Sequence, residues 1–358
     1  MARRSGSRPA RRQGAGPAVK ARPAALAASL VIASQAAYGA PSPAAPEAKP
    51  VTTHQSVPTR ELPSPYTANY VGGAVPPRSA LPPDFAYGAY QRGQYVTAFR
   101  EATKRIEADR KDVAAMVLLG ELYNQGLGTK QDALRAAEWY RLAAAEGEPN
   151  AMASLGLMAM DGRGMPRDEK AGRAWLEKAA AKGQPTAAYN LAILLLATGN
   201  EADIARAATL YRTAAEGEIG SAQHGLGVLY LKGLGVPKDP KLAAQWFRRA
   251  ADNGDLAGEV EFAILLFNGT GVPKDEVRAA RYFLHAASRG NAIAQNRVAR
   301  LFATGRGLPK NLVEAAAWNL AASAQGLSDA WLDQTLNGLG AEERTRAERL
   351  ANDRINVR

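Results

Sequence analysis

An aromatic residue returns at Trp139, Trp175, Tyr211, Trp246, Tyr282 and Trp318, at intervals of 36, 36, 35, 36 and 36 residues. A period of this length marks one supersecondary unit repeated along the chain, and it constrains the fold more than any composition figure can. Four of the five tryptophans share the phase. Two glycine series keep the same step: Gly126, Gly162, Gly199, Gly233, Gly269 and Gly305, then Gly147, Gly183, Gly217, Gly254, Gly290 and Gly326. A unit this small cannot cover its own apolar stripe, so its neighbours must do so and the units must stack into one continuous core.

Each unit reads as a helical hairpin. The first helix places apolar residues three and four apart around a small one, as in Leu119, Gly120, Leu122 and Tyr123, or Leu226, Gly227, Leu229 and Tyr230. The small residue lets the second helix come close. The first glycine stops this helix, because glycine takes the left-handed conformation of a helix C-terminus without steric cost. A turn follows, written GLGVPKD at Gly233 to Asp239, GTGVPKD at Gly269 to Asp275 and GRGMPRD at Gly162 to Asp168. Asp132, Asp168, Asp239, Asp275 and Asn311 close these turns where a side-chain oxygen can cap the second helix, and Pro240 suits its first helical position. The second helix is expected to bury the recurring aromatic with an Ala-Ala pair and to end at the second glycine. In the unit from Ala187 to Gly217, Ala197, Thr198, Gly199 and Asn200 replace the usual turn, which leaves its local geometry open.

Glycine-rich turns invite comparison with phosphate loops. These lack the Gly-x-x-x-x-Gly-Lys-Ser/Thr spacing, lie between two helices with no strand before them, and recur in nearly every unit, so they serve backbone geometry. The capping aspartates are read the same way.

These residues resemble the Sel1-like repeat family, a relative of the tetratricopeptide repeats. The pattern of Ala, Leu-Gly, an aromatic, Gly-x-Gly-Val, Asp, Ala, Trp, Ala-Ala and Gly matches residues 115–330 as six consecutive units. The resemblance implies an all-α, right-handed αα solenoid and a protein-binding role. Residues 85–114, with Tyr87, Tyr90, Gly93, Tyr95, Ala98 and Phe99, look like a tetratricopeptide-type hairpin capping the N-terminal end. Residues 331–358 carry Trp331 and then a charged stretch suited to a capping helix with a wet outer face. Repeat arrays need such caps.

Upstream, residues 1–22 hold seven cations and no acid, and an apolar run from Ala24 to Ala33 leads into small residues. Cationic, apolar and small residues in that order read as a signal peptide over residues 1–39, cut near Ala36 to Gly39, which places the mature chain in the periplasm or outside the cell. Two other readings of the long basic segment are a start codon assigned too early and a basic cytosolic tail. The apolar run is about half the roughly 20 residues a membrane-spanning helix needs, so no permanent span is expected. Residues 40–84, with eleven prolines between Pro41 and Pro83, read as an extended Pro-rich linker.

The formal charge of +11 suggests nucleic-acid binding until its location is considered. Without the seven N-terminal cations the chain has 38 basic and 34 acidic residues, a near balance that speaks against a nucleic-acid partner. No cysteine is present, and His54, His224 and His285 lie far apart, so neither a metal site nor any cofactor is expected.

Carrying over the groove-facing positions of related repeats gives a candidate lining for a protein or peptide partner. It comprises Val117, Glu121 and Asn124, then Leu157 and Met160, then Tyr189, Ile193 and Leu196. The later units add His224, Val228, Leu231, Val260, Ile264, Phe267, Asn296 and Arg300, which makes the middle apolar and the ends polar. His224 is read as a polar rim residue, and His285 is expected to pack on the second helix of its unit. The resulting expectation is a non-enzymatic scaffold or adaptor, in envelope signalling or exopolysaccharide regulation. The rival is a β-lactamase-like hydrolase, an activity the resemblance associates with cysteine-rich relatives. That chemistry would favour a Ser-x-x-Lys nucleophile, and none occurs in the chain. Nothing in the sequence bears on oligomeric state.

Overall fold

The computed structural model describes residues 84–356, and every regular element among them is an α-helix. The expected signal peptide and all of the expected linker except Asp84 lie outside the described residues. A short hairpin of α1 (Phe85–Gln91) and α2 (Tyr95–Ala108) comes first. Six hairpins follow: α3 (Val113–Gln125) with α4 (Ala133–Ala145), α5 (Pro149–Asp161) with α6 (Glu169–Ala181), and α7 (Pro185–Thr198) with α8 (Glu201–Glu216). The array continues through α9 (Gly220–Lys232) with α10 (Pro240–Asp252), α11 (Leu256–Asn268) with α12 (Glu276–Ser288), and α13 (Ala292–Thr304) with α14 (Leu312–Ser323). The chain closes with α15 (Ala330–Leu336) and α16 (Ala341–Asn356). From α1 to α14 each helix packs on its neighbours in the chain, which makes a helical solenoid, and α15 and α16 both lie against α14.

The local signals act as the sequence implies. Asp132, Asp168, Asp239, Asp275 and Asn311 each accept a backbone N–H three residues on, at 2.8–3.1 Å. In three of the hairpins the small residue of the first helix is a glycine that faces a large side chain of the second. A Cβ on Gly120 would stand 2.6 Å from the Tyr140 ring, one on Gly156 2.8 Å from Leu176, and one on Gly227 2.6 Å from Phe247.

In the first, second, fourth and fifth units the recurring aromatic is not the residue that fills this seam, whereas Trp318 of the sixth is itself buried, at 6% exposed. Trp139, Trp175, Trp246 and Tyr282 are half-buried, whereas Tyr140, Leu176, Phe247 and Phe283, one position later, are at most 2% exposed. Tyr211 belongs to the deep series, and half-buried Leu210 takes the tryptophan position in the third unit. The 35-residue interval is therefore displaced by one unit from where the aromatics suggest.

The third unit explains the lost residue. Its turn shrinks to Gly199 and Asn200, while α8 reaches 16 residues where most second helices have 13. Asn200 caps α8 through the Asp203 N–H at 2.8 Å, and Thr198 donates its hydroxyl to Asp203 at 2.8 Å. The frame shift also moves the left-handed residue that follows the second helix. Gly217 has φ −78° and Glu218 takes +61°, a conformation that costs a non-glycine residue about 1–2 kcal/mol. Asn253 and Gln223 hold the Glu218 carboxylate at 2.7 and 3.1 Å, and Arg249 pairs with it.

The second glycine of each turn joins one unit to the next. Gly128, Gly164, Gly235, Gly271 and Gly307 have φ between +66° and +71°. A Cβ on them would meet the carbonyl oxygens of Tyr95, Ala133, Ile204, Pro240 and Glu276 at 2.0–2.6 Å, all in the first turn of the preceding second helix. The shortened third turn lacks this glycine, so no such contact covers the start of α6. First helices of neighbouring units also touch, α5 with α7 and α9 with α11, while successive second helices meet weakly or not at all. A stack that is tighter along its first helices curves toward them and makes their outward face concave.

Both ends are capped. Arg105 of α2 pairs with Asp84 at 2.7 Å and Asp112 at 2.8 Å, bracing the starts of α1 and α3. At the other end two helices form the cap instead of one, since Gly338, Leu339 and Gly340 interrupt the charged stretch. α16 lies on α14, burying Ala347 and Ala351, and Arg354 pairs with Glu314 while standing 4.0 Å over the Trp318 ring.

Candidate functional site

The first helices present an apolar stripe along the concave face. Leu157, Tyr189, Ile193, Val228, Leu231, Ile264 and Phe267 are half-buried, rooted in the core and open on one side. The groove positions carried over from the repeat pattern separate by depth. Val117, Leu196 and Val260 are 4%, 7% and 4% exposed, so these three belong to the core beneath the stripe. Met160 packs where a Cβ on Gly172 would stand 2.7 Å from its Cγ, which places it in the hairpin seam.

The polar positions are largely committed inside the fold. Glu121 accepts the Tyr140 hydroxyl at 2.8 Å, and the Asn124 side-chain oxygen accepts from Arg163 at 3.5 Å. His224 lies against the Phe247 ring at 5.7 Å, and burial lowers its pKa against the opposing pull of Asp255 and Glu261. His285 stands on α12, more than half exposed, with Nδ1 2.7 Å from the buried Glu259 carboxylate of α11.

Asn296 and Arg300 fasten the C-terminal cap. Arg300 donates to both oxygens of Asp329 at 2.6 and 2.8 Å, Asn296 donates at 2.8 Å, and Asp329 also caps α15. Burial pushes the Asp329 carboxyl up, but the donors outweigh it and hold the pKa at about 2. A depressed carboxylate stabilises the fold above its unfolded pKa of about 3.9, and that contribution is lost as pH falls through the folded value. Wild-type protein is thus expected to exceed the Asp329→Asn variant by up to about 2 kcal/mol near neutrality, with the gap closing between about pH 4 and pH 2. Urea unfolding at a series of pH values checks this; a gap that persists at the acid end refutes it.

Two cavities open along the face. One of about 340 Å³ lies at the N-terminal end between Tyr87, Tyr90, Glu121, Tyr140, Leu157 and Arg163. Burial, with the Glu121 charge second, pushes the Tyr90 hydroxyl to about 12, so it stays a neutral donor. The other, of about 260 Å³, lies at the C-terminal end between Ile264, Phe267, Arg297, Arg300, Arg306 and Trp331. Arg306 stands 4.2 Å over the Phe267 ring and pairs with Glu276 at 2.6 Å; Arg300 stands 5.0 Å over Trp331. Counting groove positions on the first helices misses Tyr87, Tyr90, Arg163, Arg297, Arg306 and Trp331. The signal for two of them was present: Arg163 and Arg306 occupy the variable place between the two turn glycines, and each lines a cavity.

Stacked helical hairpins, a curved apolar face and capped ends define a helical-repeat scaffold. The Sel1 repeat model matches residues 113–148, 149–184, 185–218, 220–255, 259–291 and 292–327, more than half of the chain, and the chain belongs to that family. No curated protein matches it. Among solved structures, a protective antigen of uropathogenic Escherichia coli with an SLR fold is 26% identical, covering 76% of this chain and 67% of its own, with a TM-score of 0.49. A Sel1 repeat protein from Oxalobacter formigenes is 26% identical over 75% of this chain and 98% of its own, with a TM-score of 0.40. Among the described residues no helix is long and apolar enough to cross a membrane.

Proposed function

We propose that the protein is a non-enzymatic adaptor, exported to the periplasm or secreted, that holds a protein or peptide partner against its concave face. The uncovered stripe from Leu157 through Tyr189, Ile193, Val228 and Leu231 to Phe267 carries this reading, because contiguous apolar surface on an otherwise polar rod suits an amphipathic or extended segment. Nucleic acid is a poor occupant of such a face, since it calls for clustered cations. Regulation of envelope signalling or of exopolysaccharide synthesis is the setting we favour, with the cationic and apolar N-terminal segment acting as a cleaved signal.

Affinity capture from an envelope fraction tests the reading. A specific protein is expected to be retained by the wild type and reduced at least about tenfold by Leu231→Glu, as for a contact at the centre of an interface. Equal retention by the variant overturns the proposal, as does hydrolysis of a chromogenic β-lactam by the purified protein.

A further inference from the structure

We infer that the C-terminal cavity of the groove is a docking site for an acidic peptide segment that carries one bulky apolar side chain. The inference rests on the groove being a protein-binding face and supplies the chemistry of what enters one end of it.

The floor is apolar and the rim is cationic. Ile264, Phe267 and Trp331 line a space of about 260 Å³. That is below the roughly 300–1,000 Å³ of pockets that take whole small molecules, and it suits one large side chain. Trp331 is 42% exposed with Arg300 over one face of its ring, so part of its apolar surface stays open to an incoming side chain.

Three guanidinium groups surround this floor. Arg300 and Arg306 are already oriented, by Asp329 and Glu276 respectively, and each lies over an aromatic face. A guanidinium has five N–H donors in a fixed fork, so a carboxylate on one side leaves donors for a second, and prior orientation reduces the entropy lost on binding. Arg297, exposed and one turn before Arg300 on α13, has no carboxylate partner among the described residues. The rim therefore holds three cations against two anions. The N-terminal cavity carries no such excess, since Glu121 and Arg163 both form part of its wall. Charge complementarity thus places the acidic part of a partner at the C-terminal end, with its chain running back along the apolar stripe. A single chain-terminal carboxylate would engage one arginine; acidic side chains on both sides of an apolar residue can engage all three.

The test uses the full chain and a fluorescein-labelled, C-terminally amidated peptide in which one phenylalanine is flanked on each side by two acidic residues. Fluorescence anisotropy is expected to show saturable binding, at least about tenfold weaker when the acids become lysines or the phenylalanine becomes glycine. Arg297→Glu is expected to weaken the acidic peptide about tenfold and to strengthen the lysine peptide, a reversal that misfolding cannot produce. The difference between the two peptides is expected to vanish near 1 M salt, where the Debye length is about 3 Å. Leu231→Glu, at mid-groove, is expected to leave the short probe unaffected. Equal binding of acidic and basic peptides, or indifference to Arg297→Glu, overturns the inference even where envelope capture still depends on Leu231. Capture that ignores Leu231→Glu instead removes the groove reading on which the inference stands.

Discussion

Replacing Gly271 by alanine is expected to lower the unfolding free energy by about 3 kcal/mol or more and to make the urea transition broader, as followed by far-UV circular dichroism. The residue has φ +71°, and its Cβ would stand 2.1 Å from the Pro240 carbonyl oxygen, a contact with backbone that no rotamer change relieves. The turn between α11 and α12 must lift off α10, which loosens one junction between units. In a linear array, stability is a sum of unit and junction terms, so weakening one junction lets the two sides unfold separately. Gly254 supplies the control. It has a similar φ of +80° with nothing within 4 Å of its Cβ, so Gly254→Ala should cost only the backbone penalty of about 1–2 kcal/mol and keep the transition sharp. Equal losses at the two positions would show that Gly271 is needed for its conformation alone.

The two glycines of a single turn, such as Gly233 and Gly235, show how much of the fold was legible. Periodicity gave the number of hairpins, their caps and the ends of the first helices, because these are local choices: Asp239 accepts from Leu242 three residues away, and Gly233 ends its own helix. What the period could not separate was the work done by the two glycines of one turn. One ends a helix and the other touches a helix some thirty residues earlier, and both simply recur every unit. The aromatic phase was misread for a related reason. A residue that recurs is under a repeated constraint, but Trp246 and Phe247 are adjacent and both recur as large apolar types; only the approach of Gly227 to the Phe247 ring decides which fills the seam.

The candidate site was legible to the same depth. Positions one helical turn apart on the first helices do lie on one face, but depth varies along that face: Val260 is buried while Ile264, one turn further on, is open. Residues contributed by turns and caps, such as Arg306 and Trp331, come to the groove through curvature, a property of several units together that no single 36-residue window contains.

Leu196 and Leu231 convert that distinction into an experiment. Both end first helices, in the third and fourth units, and both read as groove residues from sequence spacing. Leu196 is 7% exposed, whereas Leu231 is half-buried and open toward the concave side. Leu196→Glu removes a buried apolar side chain and asks a carboxylate to occupy its place. The loss is expected to reach about 4 kcal/mol or more, seen as a collapsed helical signal or a strongly lowered urea midpoint. Leu231→Glu can direct its carboxylate into solvent, so its cost should stay within about 1 kcal/mol while the face it alters is charged. A variant pair with equal stability losses would place Leu231 in the core and remove it as a probe of binding. If Leu196→Glu folds normally, the third hairpin is packed more loosely than its buried leucine implies, and the shortened turn at Gly199 and Asn200 is where that slack must originate.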